Sequence, residues 1–571
     1  MPLGTALNSL KMLLSNLDEK KSTVHVLKLP PSKPLTFDTS NKINYLKRST
    51  PEKHGYSKEY IDSFVNEINS DLSLRANRLL IIKDEEVIKE QYLHPYVKDC
   101  WDSTFSATKT LTALAIGLLY DEGKIDLDLP VCKYLKNEKQ ITIARNKKIT
   151  LRHLFTMSTG SNFNEMSTVG TTKWTKDYFN SGYKYKLGSK FEYNSLNSYI
   201  IGVVAEKISG KPLSELLEER IFSKLGMSST FIERSTEGHA KCGWGLYILP
   251  EDMAKLGILV MNKGVYKGER ILSEEWIEMM SHKQFEASKF AHKYDYGFQM
   301  WVKDDINFCC FNGMYDQNIM LFRNSGIILV TCFADNEAFH GAHLFSLAEK
   351  YFASKEMGEF PLWKYKGDRI LENKSNLSYY YDYIVDKEYI PQDKKSNNCG
   401  ILPLLLQNEM GTYSKGLKAV TFKKYSEDKF SVIVKEGNND YEHFFNFKEG
   451  IKQKLNFYGN EYDCSVDGRF ILSGKGEPYL LIRVYFLEFA CIRYISVKFG
   501  KEHDRISIEM SETPSLGFVL SILDVQDEPT KRLIGSIIKG INPNILQAKI
   551  KNILSPTFIA AHKEYLQKNQ K

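Results

Sequence analysis

The sequence predicts an α/β (α+β) protein in two parts: a region of helices and short strands at 46–362, and an antiparallel β-rich domain at 365–525. Three observations predict it. At about 100–200 residues per domain, a chain of 571 residues holds several domains. From about residue 50 to 360, apolar residues at helical spacing alternate with short strand-like runs. Near residue 365 the composition changes. All six tryptophans (Trp101, Trp174, Trp244, Trp276, Trp301 and Trp363) precede that point, and apolar–polar alternation dominates after it. With 42% hydrophobic and 26% charged residues, the chain has the apolar material that a disordered sequence lacks. It is also long enough to bury a large core without cross-links.

Residues 1–45 are polar and punctuated by Pro30, Pro31 and Pro34. They predict a short amphipathic helix near Leu7–Leu17 and then an extended arm, either a docking segment or a frayed tail. Arg78–Ile82, a polar turn at Lys83–Glu86 and Val87-Ile88 predict a β-hairpin. Leu111, Leu114, Leu118 and Leu119 predict a long helix over about 106–122, stopped by Gly123. Further helices are predicted at 150–157, 197–208, 212–224, 250–263 and 273–281, and strands at 297–302, 307–311, 317–323 and 326–333. Past residue 365, runs such as Phe430–Val434, Tyr441–Phe447, Leu480–Phe499 and Arg505–Met510 predict an antiparallel barrel or sandwich. The stretch 526–571 returns to helical spacing and predicts a helical tail.

A net charge of +7, with lysines spread among acids, is too small and too diffuse for a dedicated nucleic-acid binder. The nine cysteines include one adjacent pair and no C-x-x-C spacing, so neither a disulfide framework nor a zinc site is expected. Reduced thiols point to a cytoplasmic protein. The apolar stretch around Leu13-Leu14 is broken by Lys11, Ser15 and Asn16 and does not read as a signal peptide. No apolar run approaches the roughly 18–20 residues of a membrane span. No glycine-rich phosphate loop precedes a helix, so nucleotide use is not expected. His340 and His343 have metal-like spacing without an acidic or thiol partner in place, so no metal is expected either.

The sharpest local feature is Phe105-Ser106-Ala107-Thr108-Lys109. The same S-x-x-K spacing recurs at Ser181/Lys184, Ser426/Lys429 and Ser536/Lys539, but only Ser106 opens a strongly apolar helix. Positions i and i+3 share a helix face, so Lys109 can reach the Ser106 hydroxyl. A serine is a poor nucleophile until a neighbour takes its proton. Lys109 can do so where burial keeps its amine partly neutral. The unpaired N–H groups of a helix start would stabilise charge on an attacked carbonyl. The competing reading is a capping serine with a solvent-facing lysine. A second feature is Phe191–Gly202, where Tyr193 and Ser195 precede a new helix. Tyr193 serves there as a proton shuttle if a cation holds down its pKa, or as an ordinary core aromatic.

The stretch from about Arg48 to Cys332 resembles the β-lactamase-related serine hydrolases, the family of class C β-lactamases and penicillin-binding proteins. It is most similar to the branch of 6-aminohexanoate-dimer hydrolases and esterases. The resemblance rests on collinear segments: Thr50-Pro-Glu, Phe105–Lys109, Thr150–Gly160, Tyr193-Asn-Ser195, Leu225-Gly-Met227, Gly245–Met253, Ile271–Trp276 and Tyr296–Trp301. It implies a serine β-lactamase-like domain at 46–362, a mainly antiparallel sheet flanked by helices, with a helical lobe facing the cleft. It implies Ser106 as acylated nucleophile, Lys109 and Tyr193 sharing the proton transfers, and Ser195 contacting substrate or holding the lysine. An oxyanion hole would use the N–H of Ser106 and one near Gly313–Asn318. Trp174 is then either a wall of the substrate cleft or a core tryptophan. Cys309-Cys310, close to this site, fits two small buried hydrophobes better than a redox pair.

Departures from the family set the expected substrate. The Lys-Thr-Gly of β-lactamases is absent, and the matching region reads Cys309-Cys-Phe-Asn-Gly-Met-Tyr-Asp-Gln317. Gly313 and Gln317 fit the Gly-x-x-(Gly/Asp)-Gln pattern of the amidase and esterase branch, and are expected to bind substrate. Without that lysine an antibiotic's carboxylate loses its cation. Tyr-x-Ser in place of Tyr-x-Asn points the same way. The expectation is a serine hydrolase of small amides or esters that uses no cofactor. Its alternatives are a catalytically silent binding or assembly protein and a D-amino-acid peptidase or transpeptidase. A possible lipocalin-like form of the second domain follows from resemblance alone.

Overall fold

The computed structural model describes residues 33–135, 146–168, 171–287, 294–335, 342–363, 373–410, 412, 414–500, 504–513 and 555–568. These form two compact units. Residues 37–335 and 342–363 make the first; residues 33–36 and 373–568 belong to the second.

The first unit is built on a seven-stranded sheet with antiparallel pairing throughout. Its strands are β1 (Arg78–Lys83), β2 (Glu86–Tyr92), β3 (Asp295–Tyr296), β4 (Trp301–Lys303), β5 (Phe308–Gly313), β6 (Gln317–Phe322) and β7 (Ile327–Cys332). Their order is β2-β1-β7-β6-β5-β4-β3. Asp84 and Glu85 turn the predicted β1–β2 hairpin, both with left-handed backbone (φ 49° and 63°), as a two-residue turn between right-twisted strands requires.

Strands β5, β6 and β7 are buried almost throughout, because both faces of the sheet are covered. On one face lie α1 (Lys58–Ser70) and a C-terminal helix at Ala342–Phe352. The other carries the larger core, with α2 (Thr108–Asp121), α3 (Leu151–Phe155), α5 (Trp174–Asn180), α6 (Ser195–Ser209), α7 (Leu213–Leu217), α8 (Pro250–Met261) and α9 (Glu274–Ser281); a short helix α4 (Glu165–Thr168) lies between α3 and α5 in the chain. Helix α2 is buried on every side, as its apolar composition demands. The start signals are local. Asn194 caps α6 by accepting from Leu196 N at 2.9 Å, Ser273 caps α9 through Trp276 N at 3.1 Å, and proline opens α8.

The second unit is a ten-stranded antiparallel sheet, nearly closed into a barrel. Its strands are β8 (Glu388–Pro391), β9 (Leu417–Ser426), β10 (Lys429–Glu436), β11 (Asn439–Phe445), β12 (Ile451–Phe457), β13 (Asn460–Leu472), β14 (Pro478–Phe486), β15 (Cys491–Phe499), β16 (Arg505–Thr513) and β17 (Thr557–His562). The order is β11-β10-β9-β8-β17-β16-β15-β14-β13-β12. At the seam between β11 and β12, the Gln453 amide stands in for a ladder. Phe444 N donates to Gln453 Oε1 at 3.1 Å, and Gln453 Nε2 donates to Phe444 O at 2.8 Å.

Two sequence expectations change. Within the expected helical tail at 526–571, Thr557–His562 is a strand between β8 and β16, and only Lys563–Lys568 is helical. Phe558 and Ala560 face inward while Thr557 and Ile559 face out, the two-residue period of a half-buried strand. Within the expected N-terminal arm at 1–45, residues 33–36 are pinned rather than frayed. Lys33 Nζ pairs with Glu488 at 2.8 Å with both side chains fully buried, and Thr36 N donates to Glu461 at 3.2 Å. The expected helix near Leu7–Leu17 and residues 526–554 of the tail lie outside the described residues.

All nine cysteines are free thiols, and Cys309 and Cys310 are fully buried in β5. His343 pairs with Asp71 at 2.9 Å on the surface; His340 lies outside the described residues. Among the described residues, no cluster of His, Cys, Asp and Glu could hold a metal ion, and no helix is long and apolar enough to cross a membrane.

Candidate active site

The chain reaches α2 through a tight turn. Phe105–Ala107 form one turn of 3-10 helix running directly into α2, so Ser106 stands at the helix entrance. Phe105 takes a left-handed φ of 45°, unfavourable for a bulky residue. Its ring is buried edge-on against Tyr315 at 5.2 Å, which holds the turn. The end of β5 packs against the same turn. A Cβ on Gly313 would stand 2.1 Å from Thr104 O, so only glycine lets this strand approach.

Lys109 lies one turn into α2 and is 1% exposed. Its Nζ donates to Ser106 Oγ at 2.8 Å, Ser195 Oγ at 2.8 Å and Gly243 O at 2.7 Å. Three acceptors match the three donors of an ammonium, yet none is a carboxylate. Burial therefore pushes its pKa down to about 7, opposed by the charge of Glu165. Gly243 must be glycine, because a Cβ there would meet Ser195 O at 2.6 Å.

Tyr193, just before α6, shares a hydrogen bond with Ser106. Its ring stacks on Trp301 (centroids 5.7 Å, interplanar angle 10°), and Lys109 Nζ lies 4.8 Å from its centroid. Burial raises the Tyr193 phenol above its ordinary range, with Glu165 adding to the rise. The condition set for Tyr193 as a shuttle, a cation holding its pKa down, is not met. The cation is adjacent, but desolvation wins, so the phenol keeps its proton at neutral pH. Glu165, on the short helix α4, accepts from Ser195 N at 2.5 Å.

A chain segment with this Ser–Lys pair, on a helix behind an antiparallel sheet, matches a family model described as Beta-lactamase over residues 64–346. This region belongs to the beta-lactamase family. A similar curated protein is the 6-aminohexanoate-dimer hydrolase of Paenarthrobacter ureafaciens, 21% identical over 223 residues, covering 36% of this chain and 56% of that protein. Another is the acyltransferase calJ of Penicillium decumbens, 26% identical over 251 residues, covering 36% and 58%. The chain thus spans little more than half the length of these relatives. Among solved structures, the D-amino acid amidase of Ochrobactrum anthropi SV3 aligns with a TM-score of 0.40 at 14% identity, covering 48% of this chain and 92% of that one.

The beta-lactamase-family domain brings Ser106, Lys109, Tyr193 and Ser195 together, with Ser195 bonded to the lysine. Gly313 sits beside the nucleophile turn, where its role is close approach. Gln317 does not reach the cleft. It is 2% exposed, and its amide donates to Tyr315 O at 3.1 Å and Phe333 O at 2.7 Å, fixing the β5–β6 turn. Trp174 is 4% exposed and packs on Tyr199 and Trp244 as part of the core. Three participants escaped the sequence: Gly243, Trp301 as the platform under Tyr193, and Glu165. Trp301 closes the Tyr296–Trp301 segment and could have been found there. Glu165 lies in an irregular stretch with no periodic signal.

Proposed function

We propose that this protein is a serine hydrolase that cleaves a small amide or ester through an acyl-enzyme on Ser106. One observation carries the reading: a fully buried lysine with a pKa near 7 is bonded to the hydroxyl of a serine at a helix entrance. The neutral amine of Lys109 takes the Ser106 proton as Oγ attacks the carbonyl carbon. The protonated Tyr193 phenol, on the same hydroxyl, donates to the leaving nitrogen or oxygen. Its high pKa makes it an acid and not a base at this step. Ser195 and Gly243 O fix the Lys109 ammonium and limit its wandering. The helix entrance and the close end of β5 would supply the N–H donors for the oxyanion. Water then hydrolyses the ester on Ser106 with the proton steps reversed.

The names of the relatives, a 6-aminohexanoate-dimer hydrolase and an acyltransferase, fit acyl transfer to serine. Strand β5 reads Phe308–Gly313 without a cation, which supports neutral esters and amides over carboxylate-bearing antibiotics. A fluorophosphonate probe tests the proposal: it should label the wild-type chain at Ser106 and leave Ser106→Ala unlabelled. Labelling that persists in a folded Ser106→Ala protein would overturn it.

A further inference from the structure

We propose that Glu165 is a positioning residue of this proton relay, its carboxylate seated on the Ser195 N–H and holding a fixed negative charge behind the Ser106–Lys109–Ser195 chain. The inference rests on the function proposed above.

The geometry is specific. Ser195 is the first residue of α6, a helix of 15 residues, and its N–H is one of the groups that a helix leaves unpaired at its start. Glu165 Oε1 takes that N–H at 2.5 Å, while the side chain of the same Ser195 accepts from Lys109 Nζ at 2.8 Å. One residue therefore joins the carboxylate to the lysine. The contact also places a negative charge at the positive end of a long helix, where it is favoured. Among the described residues, the Glu165 charge is what opposes burial at Lys109, and it acts on Tyr193 as well.

Other charged groups on the elements around α2 are engaged elsewhere or exposed. Glu206 on α6 pairs with His239, and Lys241 beside Gly243 pairs with Glu233. Glu275 on α9 accepts from Tyr120; Glu274 and Glu278 pair with Lys263. Glu215 on α7 is exposed, and Cys309 and Cys310 on β5 are buried thiols kept neutral by burial. Cys242 beside Gly243 and Tyr296 against Tyr193 are buried and kept neutral by burial, and Lys207 on α6 is exposed; among the described residues the carboxylate that acts on both Lys109 and Tyr193 is Glu165.

A negative charge near Lys109 favours its ammonium. Removing that charge lets the amine stay neutral to lower pH, so the acid limb of Ser106 acylation moves down, by about one pH unit for a partly buried charge. The measurement is the rate of fluorophosphonate labelling against pH for wild type, Glu165→Gln and Glu165→Asp. Wild type and Glu165→Asp should share a limb near pH 7, and Glu165→Gln should show it lower. Partial loss of folded protein would scale the plateau and leave the limb in place. An unchanged limb in Glu165→Gln would overturn this inference alone. A wild-type chain that does not label at Ser106 would overturn the proposed function and this inference with it.

Discussion

Lys109 is where the residue-scale chemistry concentrates. Its pKa of about 7 makes the amine neutral above that pH and charged below it. Since only the neutral amine can take the Ser106 proton, kcat/KM for an aryl ester should rise with pH through an apparent pKa near 7. A profile flat from pH 5 to 8 would contradict a lysine base. Lys109→Ala and Tyr193→Phe should each cost about 10²–10⁴-fold in acylation. The double variant should lose less than the product, because both side chains act on one hydroxyl. Multiplicative losses in a double-mutant cycle would mean the two act independently. Ser106 and Lys109 were legible in sequence because the helical period puts i and i+3 on one face. Trp174 and Gln317 were not. Nothing in a tryptophan's neighbours along the chain tells core from cleft, and the Gln317 amide is spent on carbonyls at Tyr315 and Phe333.

At the scale of elements, the approach of β5 to the Phe105–Ala107 turn decides the shape of the site. Gly313→Ala places a Cβ 2.1 Å from Thr104 O, a backbone atom that cannot swing aside. The strand end must retreat, and kcat should fall at least about tenfold, the order expected when a positioned donor shifts. Unchanged kinetics would show that this strand does not shape the reaction. The same strand governs substrate choice. A charge-assisted bond to a carboxylate is worth about 1.5–3 kcal/mol, or roughly ten- to a hundredfold. A β5 without a cation should thus favour aryl acetates or small linear amides over a chromogenic cephalosporin in kcat/KM. A cephalosporin preferred over every ester and amide tested would show that another cation replaces the missing lysine. The regular elements were readable from their periods. The β5–β6 turn was not: it puts Tyr315 and Asp316 at φ near 60°, a geometry set by packing on Phe105.

For the whole molecule, the two units call for separate tests. Alternation made the antiparallel sheet of the second unit legible. Its seam at Gln453 and its strand at Thr557–His562 depend on pairings between distant residues, which no local period reveals. This unit encloses His443 on β11, fully buried, with no hydrogen-bond partner for either ring nitrogen among the described residues. Burial pushes its pKa down to about 3 from 6.5. Between those values the unfolded chain binds a proton that the folded chain refuses, so this residue makes stability fall as pH drops, by about 1.4 kcal/mol per pH unit. Urea unfolding of the full chain at pH 7 and pH 5 should show a smaller acid loss for His443→Leu than for wild type. Equal losses would mean the imidazole is paired or solvated. Acylation of Ser106 in the first unit is read by mass spectrometry of the chain quenched during turnover of an aryl ester. Wild type should carry one acyl group per chain, mapped to Ser106, and Ser106→Ala none; an acyl group on another residue, or turnover with no acylated chain at any quench time, would rule out Ser106 as the nucleophile.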